Sequence, residues 1–241
     1  TLTVNSFSFQ FGNLAFGGAG IDDIGTGDGV DVIFGGNDND TIATAKGAQL
    51  TIGSGSNQFR LALGDLIFGG DGEDTIDSDD PAADRADDDI DVVFGGPNND
   101  TINGYGGGLL SIGSVSNPDF ELKLGNLIFG GSEADEITTL DGIDVVFGEE
   151  NDDTISGNNE FRLALGDLIF GGDGEDTIHG DDPAGDRADD DIDVVFGGDN
   201  DDAIHGYGGG MLSIGNVSNP DFELRLGNVI FGGDADDVID A

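Results

Sequence analysis

The sequence predicts an all-β chain folded as a right-handed parallel β-solenoid of about nine rungs, with inserted strands or hairpins and essentially no helix. Three observations carry this. The phrase aliphatic-x-Phe-Gly-Gly-x-x-x-Asp-x-Ile recurs along the 241 residues. Glycine occurs 45 times, which signals many backbone positions at positive φ and hence many tight turns. The acidic residues fall in a fixed period with Ile, Val, Leu and Phe between them, so the chain is not a solvated acidic coil.

The repeat is nested. Residues 59–131 match residues 161–233 at an offset of 102, with 62 of 73 positions identical. This sets a single repeat solenoid over 1–241, with tandem copies at about 14–126 and 127–228 and the start of a third at 229–241. The phenylalanine of the short phrase falls at Phe16, Phe34, Phe68, Phe94, Phe129, Phe147, Phe170, Phe196 and Phe231. Spacings of 18 are filled by two nonapeptides each, as in GGAGIDDIG, TGDGVDVIF and GGNDNDTIA over residues 17–43. Strict Gly-Gly-x-Gly-x-Asp stands at 17–22, 69–74 and 171–176.

This pattern resembles the repeats-in-toxin (RTX) nonapeptide family, whose members are bacterial secreted or surface proteins and fold as parallel β-rolls. Six turn residues followed by three strand residues make half a coil, and two halves make a rung. Rungs then stack at about 4.8 Å, so each turn lies over the previous one. The resemblance implies Ca²⁺ between adjacent turns on one edge. Carbonyls freed by glycine and one carboxylate per turn suit a cation that takes six to eight oxygens.

The side-chain ligands expected on the first edge are Asp22, Asp40, Asp74, Asp100, Asp135, Asp153, Asp176, Asp202 and Asp237. Uncompensated carboxylates stacked at rung spacing repel strongly, which favours several bound ions. A second edge carries acidic loops at Asp31, Asp91, Asp144 and Asp193, and the sequence reads these as alternate rungs only. In the other rungs an alternating strand replaces the loop, as in Phe59–Leu63, Phe120–Leu124, Phe161–Leu165 and Phe222–Leu226. The fourth-position glycine is lost in six turns. Asp38, Asn98, Asn151 and Asn200 there tolerate a left-handed backbone, whereas Glu133 and Ala235 tolerate it poorly.

Period-2 alternation points Ile42, Ile76, Ile102, Ile155 and Ile178 inward from one strand. From the opposite strand it points Ile33, Ile67, Val93, Ile128, Val146, Ile169, Val195 and Ile230 inward. Thr41, Thr75, Thr101, Thr154 and Thr177 then face outward on one side and the phenylalanines on the other. An outward Phe ladder needs a cover, either another protomer or hairpins built from Leu50–Ile52, Leu110–Ile112 and Leu212–Ile214 with the alternating strands that follow. Two DDPAxDRADDD insertions, at Asp79–Asp89 and Asp181–Asp191, read as solvated loops, with extra surface calcium sites as the alternative.

The formal charge of -44 argues against nucleic-acid and anionic-membrane partners. No run approaches 18 apolar residues, so no membrane-spanning helix is predicted. Absence of cysteine fits a secreted bacterial protein that matures without disulfides. No leader is visible and residue 1 is Thr, so the chain is expected to be processed or a fragment. His179 and His205 stand outside any zinc motif and read as surface substitutions, and no nucleophile elbow or phosphate loop is present, so no enzyme activity is expected.

The leading expectation is an extracellular calcium-binding structural or adhesive module. It would fold on calcium binding and assemble into homo-oligomers, a surface layer, a matrix or a filament through the Phe strip and the strand edges at 1–11 and 229–239. One alternative is the calcium-dependent secretion domain of a larger exoenzyme or toxin. The other is an ice-binding adhesin segment that uses the Thr row.

Overall fold

The computed structural model describes residues 7–8, 11–54, 57–79, 89–114, 117–140, 142–157, 166–180, 192–206, 211–216, 219–225 and 227–240. Two parallel sheets of nine strands each face one another. The first runs from Phe11–Ala19 through Val30–Asn37, Leu66–Asp71 and onward to Val229–Asp234. The second runs from Asp23–Gly25 through Thr41–Ala43 to Val238–Asp240. The chain alternates between them, so every parallel neighbour in a sheet comes from the next coil, as in a β-roll.

Register is set residue for residue: Val93 pairs with Ile67 and Ile128, and Ile102 with Ile76 and Ile137. From Ile33 onward in the first sheet and from Ile24 onward in the second, the β-branched residue at the middle of each strand lies over its equivalent. Ile33, Ile67, Val93, Ile128, Val146, Ile169 and Val195 from one sheet are fully buried against Ile42, Ile76, Ile102, Ile137, Ile155, Ile178 and Ile204 from the other. Ile230, in the last strand, packs on this cluster but is only half-buried. One large aliphatic side chain per strand is a thin core, since each ordered residue costs about 1–2 kcal/mol of backbone entropy. The coil edges must contribute the remainder.

The Phe residues form one continuous stack outside this core. Ring centroids from Phe16 to Phe231 are 4.8–5.1 Å apart, with interplanar angles of 2–6°. The spacing is that of the strands, so the parallel sheet dictates the stack. Phe34, Phe68, Phe94, Phe129, Phe147, Phe170 and Phe196 remain half-exposed. On the opposite face the outward row reads Asp23, Thr41, Thr75, Thr101, Glu136, Thr154, Thr177, Ala203 and Val238 in strict register.

The inserted strands pair as expected. Leu50 lies opposite Leu61 and Ile52 opposite Phe59, antiparallel, and Leu110–Ile112 adds to the other side of Phe59–Leu61. With Phe7–Ser8 and Asn117–Leu124 they form a separate five-stranded antiparallel sheet, and Met211–Asn216 pairs with Asn219–Arg225. Among the described residues this antiparallel sheet hydrogen-bonds to neither parallel sheet. It is an extension of the fold beside the roll, and the Phe strip keeps its half-exposed outer surface. The strand expected at 161–165 lies outside the described residues.

Backbone strain sits where the missing glycines predict it. Asp38, Asn98, Asn151 and Asn200 have φ of 73–83°, and the less suited Glu133 and Ala235 are also left-handed, at 75° and 94°. Glu149, at φ 89°, also replaces the second glycine of its turn, in register with Gly131 and Gly172. A left-handed backbone costs a non-glycine residue about 1–2 kcal/mol. Ala235→Gly and Glu133→Gly are therefore expected to raise stability by about 1 kcal/mol each, read as an increased unfolding midpoint in urea. A lowered midpoint for both would contradict the strain.

Candidate metal centre

The sixth-position aspartates form an unbroken ladder. The backbone N–H of Asp22 donates to Oδ1 of Asp40 (2.8 Å), Asp40 to Asp74 (2.8 Å), Asp74 to Asp100 (2.8 Å) and Asp100 to Asp135 (2.7 Å). The series continues through Asp153, Asp176, Asp202 and Asp237 at 2.9–3.1 Å. From Asp22 to Asp202 the carbonyl of each aspartate accepts the N–H of the residue that follows the next one, as in Thr101 to Asp74 O and Glu136 to Asp100 O. From Asp40 to Asp237 each residue is thus fixed to its neighbour through the Oδ1 of its carboxylate.

Only one oxygen of each carboxylate is used this way. Oδ2 of Asp22, Asp40, Asp74, Asp100, Asp135, Asp153, Asp176 and Asp202 is buried and accepts no hydrogen bond. A buried charged oxygen without a partner costs several kcal/mol, so a ladder of them demands a counter-charge.

The turn glycines define where that charge fits. A Cβ added at Gly35 would lie 2.6 Å from Asp40 Oδ2 and 2.5 Å from the Gly69 carbonyl oxygen. At Gly95 it would lie 2.5 Å from Asp100 Oδ2 and 2.6 Å from the Gly130 carbonyl, and at Gly130 the values are 2.5 Å to Asp135 Oδ2 and 2.8 Å to the Gly148 carbonyl. The first glycine of each turn thus leaves a cradle walled by its own turn's carboxylate and the next turn's carbonyl. Oxygens alone, from carboxylate and backbone, match Ca²⁺. The residues present fit the ion that the repeat implies. Asp22 through Asp237 would supply the side-chain oxygens and the first glycines the carbonyls.

Electrostatics agree. Burial pushes Asp100 and Asp153 up to about 8, against the backbone hydrogen bond each accepts, and neighbouring carboxylates add to the rise. Asp135 rises to about 7 and Asp176 to about 6, again chiefly by burial. Asp74 and Asp202 are raised for the same reason.

The second edge corrects the sequence reading. Asp31, Asp91, Asp144 and Asp193 are fully buried, as candidate ligands should be, but the rungs between them each carry an Asp or Asn of their own in the same ladder. Asp31 N–H donates to Asp65 Oδ1 (2.7 Å), Asp65 to Asp91 (2.6 Å) and Asp91 to Asn126 (2.9 Å). Asn126 donates to Asp144, Asp144 to Asp167 (3.0 Å), Asp167 to Asp193 (2.9 Å) and Asp193 to Asn228 (3.0 Å). Where a strand replaces the acidic loop, an Asp or Asn two residues beyond its end continues the ladder. Oδ2 of Asp31, Asp65 and Asp91 is buried without a hydrogen-bond partner. Asp65 is pushed up to about 7 by burial, with Asp31 and Asp89 adding repulsion.

The acidic loops alone do not point to Asp65, Asn126, Asp167 and Asn228. The signal was Gly-Asp/Asn-Leu/Val-Ile-Phe at Gly64–Phe68, Gly125–Phe129, Gly166–Phe170 and Gly227–Phe231, with the acid or amide two residues before the inward Ile. The ends of the first insertion also depart from a solvated loop: Asp79 and Asp89 are buried. Residues 80–88 and 181–191 lie outside the described residues. His179 and His205 stack at 5.0 Å and are half-buried, more enclosed than surface substitutions.

Stacked glycine turns, two parallel sheets and a carboxylate ladder with open oxygens define a calcium-binding parallel β-roll. A family model for the RTX calcium-binding nonapeptide repeat matches the chain in four copies, at residues 11–48, 85–108, 129–160 and 166–182. The chain carries RTX calcium-binding nonapeptide repeats. None of the curated proteins matches it.

Proposed function

We propose that the chain is an extracellular structural or adhesive repeat module that folds on binding several Ca²⁺ ions and associates with further copies of itself. The observation that carries this is the row of buried Oδ2 atoms from Asp22 to Asp202, each facing a glycine cradle and none accepting a hydrogen bond. Binding restricted to the folded state adds RT ln(1 + [L]/Kd) per independent site. Millimolar calcium outside a cell therefore favours the roll, and low cytosolic calcium leaves it unfolded until export. RTX repeats are typically found in secreted bacterial proteins, which supports that location. The uninterrupted, half-exposed Phe stack supports association, because a soluble monomer rarely leaves a long contiguous apolar strip bare.

Size-exclusion chromatography with light scattering tests both parts. Calcium is expected to shrink the hydrodynamic radius of the chain and then, at high protein concentration, to raise its mass above 24.6 kDa. A radius unchanged by chelation would refute coupled folding. A stable monomer at saturating calcium would refute self-association and leave the folding result standing.

A further inference from the structure

We propose a calcium site distinct from the glycine-turn cradles, formed by Asp79, Asp89 and Asp91, that ties both ends of the acidic insertion to the second edge of the roll. It rests on the calcium-binding reading above. One carboxylate oxygen from each of the three residues lies within 4.8 Å of the other two. They are 4%, 1% and 0% exposed. Oδ1 of Asp91 accepts the Asp65 N–H at 2.6 Å, while its Oδ2 is buried and accepts no hydrogen bond.

The space they surround is shaped by glycine. A Cβ at Gly64 would lie 2.6 Å from the Ile90 carbonyl oxygen and closer still to Oδ1 of both Asp89 and Asp91. Two carboxylates and a carbonyl therefore converge on one point. The Gly47 N–H donates to Asp89 Oδ2, and the Asp89 N–H approaches Asp79 Oδ2 at 3.4 Å, so the carboxylates are positioned from several directions. Asp79 sits at φ 69°, in the left-handed region that aspartate tolerates. Asp91 is pushed well above the usual carboxylate range, first by burial and then by Asp89 and Asp79.

An all-oxygen set with three carboxylates and irregular geometry suits Ca²⁺ better than Mg²⁺, which demands a near-ideal octahedron and retains water. The second repeat copy carries Asp181, Asp191 and Asp193 at the same offset of 102, of which Asp181 and Asp191 lie outside the described residues. Its backbone repeats the local geometry, with Gly166 N–H to Ile192 O at 3.0 Å against Gly64 N–H to Ile90 O at 2.9 Å.

Native mass spectrometry of the full chain in calcium tests the site. Asp89→Asn and Asp79→Asn are each expected to bind one ion fewer than wild type, with an unchanged far-UV spectrum. Trypsin is expected to cut at Arg85, inside the insertion, several-fold faster in either variant. An unchanged ion count and unchanged cleavage in a wild-type chain that does load calcium would overturn this site alone. A wild-type chain that binds no calcium would overturn the proposed function and this site together. If both variants fail to fold, calcium anomalous scattering from wild-type crystals decides: a peak among the three carboxylates supports the site, and its absence refutes it.

Discussion

In calcium-free buffer the roll is expected to be most stable near about pH 4 and to unfold as pH rises toward about 8, and saturating calcium is expected to invert this dependence. The cause is the carboxylate ladder. Burial raises Asp176 to about 6, Asp65 and Asp135 to about 7, and Asp100 and Asp153 to about 8, all from an ordinary value of 3.8. A raised folded-state pKa means the folded chain holds its proton more tightly than the unfolded chain. That contribution is fully present below 3.8 and is lost as pH climbs through 6 to 8. Above that range the ladder is ionised. A buried charge without a partner costs about 3–5 kcal/mol. Three of them rival the roughly 5–15 kcal/mol by which a domain is stable at all. The overall charge of -44 adds repulsion of the same sign.

Calcium reverses the slope because it binds the ionised form: protons then compete with the ion, and acidification becomes the destabilising direction. Thermal melts followed by circular dichroism at about pH 4, 6 and 8, in metal-stripped buffer and in calcium, read both slopes. A metal-free midpoint that rises from pH 4 to pH 8 would contradict the buried-carboxylate account.

Much of this was legible in the residues because a roll is nearly one-dimensional. Each coil contacts only its neighbours, so local period determines the global arrangement. Alternation alone placed Ile33, Ile42, Ile67 and Ile76 inside and Phe34 and Phe68 outside. The sixth-position aspartates likewise followed from spacing. The second edge was less legible. There the glycines that announce a turn are replaced by Leu61, Ala62 and Leu63, and only Asp65 keeps the turn's chemistry. What that residue shares with the acidic loops is only its place three residues before the ladder Phe, and register sets it between Asp31 and Asp91. The buried Asp79–Asp89 pair was illegible for another reason. It depends on where the two ends of an insertion return, and alternation within a strand does not encode that.

Gly95→Ala is expected to damage the protein more than its single methyl group suggests, while Gly27→Ala leaves it nearly unchanged. Gly95 begins the turn that ends at Asp100, in the interior of the roll. Its backbone conformation is open to alanine, so any cost comes from space. The added Cβ would sit 2.5 Å from Asp100 Oδ2, 2.6 Å from the Gly130 carbonyl oxygen and 3.2 Å from Asp100 Cβ. Two of these are below any normal contact, so the carboxylate or the next turn must move. Overpacking of this kind costs about 1–3 kcal/mol. The methyl also fills the cradle between the two oxygens, so the ion is displaced and the Asp100 charge is left buried, at about 3–5 kcal/mol more. In a solenoid each coil is stabilised by its neighbours, so a break here separates the coils on either side of it. At Gly27 an added Cβ meets nothing within 4 Å. Calcium titrations followed by circular dichroism should therefore show a weaker and less cooperative transition for Gly95→Ala, with a lower ion count, and a wild-type curve for Gly27→Ala. Equal curves for the two variants would mean that the cradle beside Gly95 holds no ion.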